Sequence, residues 1–229
     1  MFWSLRAGLV AFVSLACQST FDLANAGCWD SPGPSMDWSG CRKQAKVLRD
    51  YDLSGAKFSR ADLSHTNFQS AKMINADLSK ANLTRTNLRR ANLSKANLSK
   101  AFGMRAYFNE ANFKGADLTK VEFFRAQLSA ADLSGANLNG AQLSRANMTA
   151  ANLDAADARN TNLSRSTLAL ASLNRTNLES AYLYRTDLRG VDLTQTIGLT
   201  QIQVRAACGD NETKLPKGLR PPTNWSCDK

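Results

Sequence analysis

Residues 91–95 read Ala-Asn-Leu-Ser-Lys, and this five-residue unit recurs in phase over most of the chain. Between positions 53 and 193, steps of five give 29 positions, and all but Gly103 and Ala158 hold a large apolar residue. The residue two places before each of these centres is Ala, Thr, Ser or Val in every unit except one. Because the phase never slips, the repeat contains no insertion.

A period of five fits neither of the regular secondary structures. It differs from the 3.6 residues of a helical turn and from the two-residue alternation of a strand. A long helix would spread the centre residues around its circumference, and an unbroken strand would divide them between two faces. One unit on each side of a closed coil places every centre inside, with the small residue also pointing inward. The period therefore predicts a solenoid.

Units such as residues 91–95, 116–120 and 131–135 resemble the pentapeptide-repeat family. The resemblance covers roughly residues 51–195. It implies an all-β fold, a right-handed quadrilateral β-helix with four units per turn. A solenoid over residues 51–197 would then have about seven coils stacked at about 4.8 Å.

The first 26 residues are predicted to be a signal peptide. Arg6 precedes an apolar run over residues 7–16, which is too short to span a membrane, and Ala24 and Ala26 form a small-x-small cleavage site. We predict cleavage after Ala26 and export to the periplasm or the cell exterior. Cys17 gives a partial lipobox and thus an alternative reading as a lipoprotein.

Four further cysteines, Cys28, Cys41, Cys208 and Cys227, flank the repeat as two close pairs. An even number of cysteines in an exported protein favours disulfides. The economical pairing joins Cys28 with Cys41 and Cys208 with Cys227. A zinc site is the rival interpretation, but the spacing lacks CxxC motifs and the only histidine, His65, is remote in sequence.

Both ends of a solenoid require caps, because they expose an open edge and the core. The predicted N-terminal cap, residues 27–50, carries Trp29 and Trp38 to cover the first coil. The predicted C-terminal cap, residues 198–229, contains a short helix with Thr200 and Gln203 as a capping box and Gly209 as its stop. Both flanks resemble those of secreted pentapeptide-repeat proteins of Gram-negative bacteria.

The formal charge of the chain is +10. A basic surface favours anionic partners, although solubility alone would also account for this charge. With four units per turn, residues 20 apart share a column, and one column is a candidate anion-binding stripe. Its arginines could instead stack, pair with acids such as Glu122 and Asp187, or be a by-product of repeat duplication. The stripe comprises Arg85, Arg105, Arg125, Arg145, Arg165 and Arg185.

Apolar residues at outward positions form a candidate partner patch. It comprises Phe102, Met104, Tyr107 and Phe124. Because the centre residue there is Gly103, an irregular coil that turns Phe102 or Met104 inward is the alternative.

Another column alternates acids and amides: Asp77, Asn97, Asp117, Asn137, Asp157 and Asn177. Calcium would need several converging oxygens, so a ladder of side chains bonded to the turns is the favoured interpretation.

The sequence predicts a binding or scaffolding protein without catalytic activity or cofactor. His65 has no nucleophile or distinctive acid nearby, and a convex solenoid offers no evident pocket. The partner would be an anionic lipid, an acidic glycan or a protein, and nucleic acid is not expected. A structural envelope spacer and a host-directed effector are the alternatives. Some relatives mimic DNA and protect topoisomerases with an acidic surface, which a basic, exported chain does not match. A monomer is favoured over a dimer because the tail would cover the C-terminal end.

Overall fold

A computed structural model describes residues 28–227 of the chain. The predicted signal peptide and Cys17 lie outside these residues. Parallel β-bridges join residues 20 positions apart, from Asp37 with Lys57 to Asn177 with Ile197. Four five-residue units therefore make one coil, and each unit forms one side. The ladder already begins within residues 27–50, the segment predicted as a cap.

Each side of a coil contributes a single bridging residue rather than an extended strand. Within residues 28–227 the one α-helix is α1, Gln201–Ala206. No helix in this described part is long and apolar enough to span a membrane.

Every side ends in a tight turn closed by the backbone. The N–H of Ala56 donates to the carbonyl of Leu53 at 3.1 Å, and this bond recurs in unit after unit. The second central residue of the turn has positive φ, 67° at Gly55 and 59° at Arg60, as a type II turn requires. This conformation is unfavourable for most residues other than glycine. The repeated hydrogen bonds hold it here.

The centre and the small residue of each unit fill the interior. Leu53 and Phe58 are fully buried, and so is Ala56 between them. The N–H of Phe58 donates to the carbonyl of Asp77 in the next coil at 2.7 Å. Burial of apolar surface along the whole stack thus stabilises the fold while its backbone groups stay paired.

The column of alternating acids and amides is a ladder bonded to the turns, as the sequence predicts. Asp77 Oδ1 accepts from the backbone N–H of Ser79 at 3.0 Å, and Asn97 Oδ1 accepts from Ser99 at 3.0 Å. The Asn97 amide also donates to Asp77 at 3.2 Å. Each side chain therefore fixes its own turn and contacts the neighbouring coil.

The N-terminal disulfide joins Cys28 and Cys41, as predicted, with their Cα atoms 5.6 Å apart. Trp38 is buried and packs edge-on against Phe58, with ring centroids 6.0 Å apart. The prediction that both tryptophans cover the first coil is wrong for Trp29, which is 88% exposed. Trp29 precedes Asp37, where the chain first joins the ladder of coils.

The helix α1 closes the C-terminal end through Gln203. The backbone N–H of Thr200 donates to Gln203 Oε1 at 2.8 Å, which confirms the predicted capping box. The buried Gln203 amide donates in turn to the carbonyls of Leu178 at 2.7 Å and Ala181 at 2.9 Å. One side chain therefore caps both the helix and the open edge of the last coil.

The predicted stop of α1 at Gly209 is wrong, because the helix ends at Ala206 and Ala207 is its C-cap. Gly209 instead makes room for Trp225, since a Cβ there would lie 3.0 Å from the indole ring. The predicted disulfide between Cys208 and Cys227, with Cα atoms 5.0 Å apart, ties this tail down.

The ladder of bridges opens on one side near the C-terminal end. Asn152 bridges Ser172, and Asp192 bridges Lys214, but in the described chain Ser172 and Asp192 are not bridged. A cleft of about 360 Å³ at this opening is lined by residues from both 170–174 and 190–195, among them Ser172, Asn174 and Asp192.

Candidate anion-binding face

The six arginines of the predicted stripe lie at equivalent turns of consecutive coils. All six are exposed and have φ between 54° and 60°. They occupy the second central position of the turn, which points the side chain away from the core. We call the set the arginine edge: Arg85, Arg105, Arg125, Arg145, Arg165 and Arg185.

The arginine edge continues into the C-terminal cap. Arg205 follows Arg185 by 20 residues and lies in α1, and the N–H of Arg185 donates to the carbonyl of Ala206 at 2.6 Å. A cleft of about 700 Å³ at this end is lined by Arg165, Arg185 and Arg205 among others. Sequence reasoning missed Arg205, although its spacing of 20 from Arg185 was a usable signal.

Most ion pairs of the described residues lie away from the arginine edge. Asp187, considered above as a partner for the edge, binds Arg189 at 2.8 Å instead. Among residues 28–227, no salt bridge involves the first five arginines of the edge or Glu122. The edge therefore presents a row of like charges about 4.8 Å apart, which favours an anion.

Carboxylates on other faces are held by nearby donors. Hydrogen bonds from Ser54 and then Lys72 lower the pKa of Asp52 to about 2. A hydrogen bond from Arg159 likewise lowers the pKa of Asp157. These acids are satisfied locally, so they do not neutralise the arginine edge.

A second basic edge runs parallel to the first along part of the stack. We call it the lysine edge: Arg60, Lys80, Lys100 and Lys120. Gly140, Asn160 and Ser180 continue this column without charge. One side of every coil lies between the two edges, and we call this surface the binding face.

The binding face carries most of the predicted apolar patch at its centre. Phe102, Met104 and Phe124 are 46%, 48% and 36% exposed. The coil is regular there: Gly103 N–H donates to the carbonyl of Glu122 at 2.9 Å. The alternative of inward-turning side chains is wrong, because the ring of Phe123 already occupies the interior beside Gly103.

Tyr107 does not join this patch. It lies past the turn at Arg105, on the neighbouring side of the coil, where the guanidinium of Arg89 covers its ring at 4.5 Å. The structure thus brings together three of the four residues predicted for the patch.

A second aromatic group lies at the C-terminal end of the binding face. Tyr182 and Tyr184 are exposed and stacked, with ring centroids 6.2 Å apart. The exposed Ile202 of α1 lines a neighbouring cleft of about 370 Å³ with Tyr182. Sequence reasoning did not single out this pair. The sequence did contain a signal for this pair, because both outward positions of one unit hold an aromatic residue.

Comparison with known proteins identifies the family. The description "Pentapeptide repeats" matches residues 48–85, 86–123, 126–165 and 159–195, with eight copies. No curated protein matches the chain. Since the match spans more than half of its length, the chain belongs to the pentapeptide-repeat family.

Solved structures agree with this assignment. Two trypsin-treated variants of QnrB1, a plasmid-mediated fluoroquinolone resistance protein, superpose with TM-scores of 0.67 and 0.57. They are 19% and 18% identical to this chain. The aligned regions span 78% and 82% of this chain, and 88% and 93% of the two variants. At this identity the likeness shows the fold alone, a pentapeptide-repeat β-helix.

A third similar structure is HetL, a pentapeptide-repeat protein involved in heterocyst differentiation regulation from the cyanobacterium Nostoc sp. strain PCC 7120. It is 26% identical, with 84% of this chain and 88% of HetL covered and a TM-score of 0.33.

Proposed function

We propose that this chain is an exported, non-catalytic binding protein whose arginine edge holds an anionic partner. The carrying observation is the row of arginines on consecutive coils, five of which make no salt bridge with any described residue. Like charges so close together repel, and a bound anion relieves this repulsion. Guanidinium groups also grip carboxylates and phosphates bidentately.

Export, handedness and coil number belong to the same proposal. Export rests on the sequence of residues 1–26, which has the charge, apolar run and small residues of a signal peptide. Two disulfides near the ends of the repeat support an oxidising compartment. We also propose that the stack is a right-handed quadrilateral solenoid with about seven coils between its caps.

The experiment compares two double variants of the full chain. Arg105→Asn with Arg125→Asn removes two charges from the arginine edge, and Lys95→Asn with Arg175→Asn removes two from another edge. All four residues sit at the same turn position, with φ of 56° or 57°. Asn75 and Asn160 hold that conformation at 56° in this chain, so both variants should fold.

Binding is measured to immobilised polygalacturonate, anionic vesicles and single-stranded DNA at two salt concentrations. The proposal expects at least one probe to bind in a salt-dependent way and to lose affinity only in the arginine-edge variant. Equal binding by both variants, or no binding to any probe, would exclude it.

We further propose that the protein is monomeric. The last coil is covered by Gln203, which bonds two of its carbonyls, and by the tail that Trp225 packs down. Light scattering should give the mass of one chain, and a tight dimer formed through the C-terminal end would contradict the proposal.

A further inference from the structure

The binding face combines basic borders with exposed aromatic rings, and a simple anion site would not need the rings. Basic residues border it on both sides over the coils of Lys100 and Lys120. Aromatic side chains also stand exposed along it, as one group around Phe102 and Phe124 and a second formed by Tyr182 and Tyr184. We propose that this face binds a linear acidic polysaccharide of the polyuronate type. This inference rests on the proposed function and names its ligand class.

The spacing of the charges favours this class of ligand. The arginine edge places one guanidinium on every coil, about every 4.8 Å along the stack. An extended polyuronate carries one carboxylate per pyranose ring, at a repeat close to the height of one coil. Neighbouring rings of such a chain are rotated about its axis, so carboxylates on one side of the chain can meet arginines about two coils apart, such as Arg125 and Arg165. Duplex DNA winds its phosphates around an axis, and a straight column matches it over fewer charges.

The aromatic groups favour a sugar over a purely ionic polymer. The C–H faces of pyranose rings pack on aromatic rings, which combine a large apolar surface with a partly negative face. Phe102 and Tyr182 occupy the same column four coils apart, which is about 19 Å at the coil spacing. The two groups would thus hold rings at two points along one chain of sugars.

The surface between the two aromatic groups can bond sugar hydroxyls. It carries small polar side chains at the outward positions, and the Asn162 amide donates to Gln142 Oε1 at 3.1 Å. Amides and hydroxyls both donate and accept, so they match the mixed donors and acceptors of a sugar. The outward residues of this stretch are Gln142, Ser144, Asn162 and Ser164.

The test removes the aromatic rings and keeps every arginine. Each replacement is the residue that the same column carries on other coils, such as Asn82 and Ser144, so the turns should persist. The control, Tyr107→Asn, removes an exposed ring from the neighbouring side of the coil. The binding-face variant combines Phe102→Asn, Phe124→Ser, Tyr182→Asn and Tyr184→Ser.

Affinity is measured for the full chain with polygalacturonate, with its methyl-esterified form, with anionic vesicles and with single-stranded DNA. We expect the natural chain to bind polygalacturonate and to bind its uncharged ester much more weakly. For polygalacturonate, the Kd of the binding-face variant should be about tenfold higher or more, by analogy with stacking on bases. The Tyr107→Asn control should keep the affinity of the natural chain.

Three results would overturn the inference. The first is salt-dependent binding to vesicles or DNA without binding to polygalacturonate, which leaves the proposed function intact. The second is polygalacturonate binding that the aromatic replacements do not weaken. The third is an absence of binding to every anionic probe, in which case the proposed function fails as well.

Discussion

Phe123 fills, from the following coil, the space that Gly103 leaves in the core. A Cβ built on Gly103 would lie 2.6 Å from Phe123 Cδ1, closer than such atoms approach in practice. Phe123 is 1% exposed and continues a cluster with Phe108, whose ring centroid is 4.8 Å away. The missing side chain at 103 therefore leaves the coil regular, and Phe102 and Met104 stay at the surface.

This relationship predicts strong coupling between the two positions. Gly103→Leu alone should lower the free energy of unfolding by about 1–3 kcal/mol, because the new side chain overpacks against the ring. Phe123→Leu alone should lower it by about 1 kcal/mol or more, because the interior beside Gly103 becomes a cavity. The double variant restores a leucine at both centres and should recover most of the loss. Urea unfolding of the four proteins measures this cycle, and simple additivity would contradict it.

The C-terminal cap should depend on Gln203. Gln203→Ala leaves the carbonyls of Leu178 and Ala181 without their donor, so we expect the free energy of unfolding to fall by about 1–3 kcal/mol. Ile202→Ala is the matched control, because Ile202 is exposed in the same helix and should change stability by less than about 0.5 kcal/mol. Equal thermal midpoints for both variants would show that Gln203 is not the cap.

Amide exchange should reveal the opening in the ladder. The N–H of Leu153 donates to the carbonyl of Ser172 at 2.8 Å, whereas the N–H groups of Leu173 and Asp192 have no acceptor among the described residues. We therefore expect Leu173 and Asp192 to exchange with solvent deuterons much faster than Leu153, since exchange reports local opening. Equal protection of all three would mean that the coil is closed there in solution.

Glu122 is the one acid of the binding face that lies beside the aromatic patch. It follows Phe102 in its column and makes no salt bridge with any described residue. Glu122→Gln removes a charge that repels an anionic ligand, and Gln142 already occupies the next place in the column. Affinity for polygalacturonate should rise about two- to fivefold at low salt and little at high salt. Unchanged or weaker binding at low salt would place the ligand elsewhere.

The five-residue period was enough to predict the interior of this protein, whereas its columns also needed the four units per turn that the family resemblance implied. Each centre such as Leu53 is buried, and each column residue such as Arg105 is 20 positions from its neighbour in the next coil. The two disulfides also followed from the grouping of the cysteines. The burial of the centres and the pairing of the cysteines depend on sequence spacing alone.

Features that depend on contacts between coils could not be predicted in this way. The packing of Phe123 beside Gly103 joins different coils, and so does the contact of the Arg89 guanidinium with the ring of Tyr107. The caps lie outside the repeat, so no period indicated that Trp29 would be exposed or that Trp225 would pack on Gly209.

The most direct test of the arginine edge is the salt dependence of its binding. For a polyanion, the slope of log Kd against log salt concentration reports how many counterions the protein displaces. The Arg105→Asn, Arg125→Asn variant should bind more weakly and show a shallower slope by about one to two. The Lys95→Asn, Arg175→Asn variant should keep the slope of the natural chain. Equal slopes for all three proteins would contradict a binding role for the arginine edge.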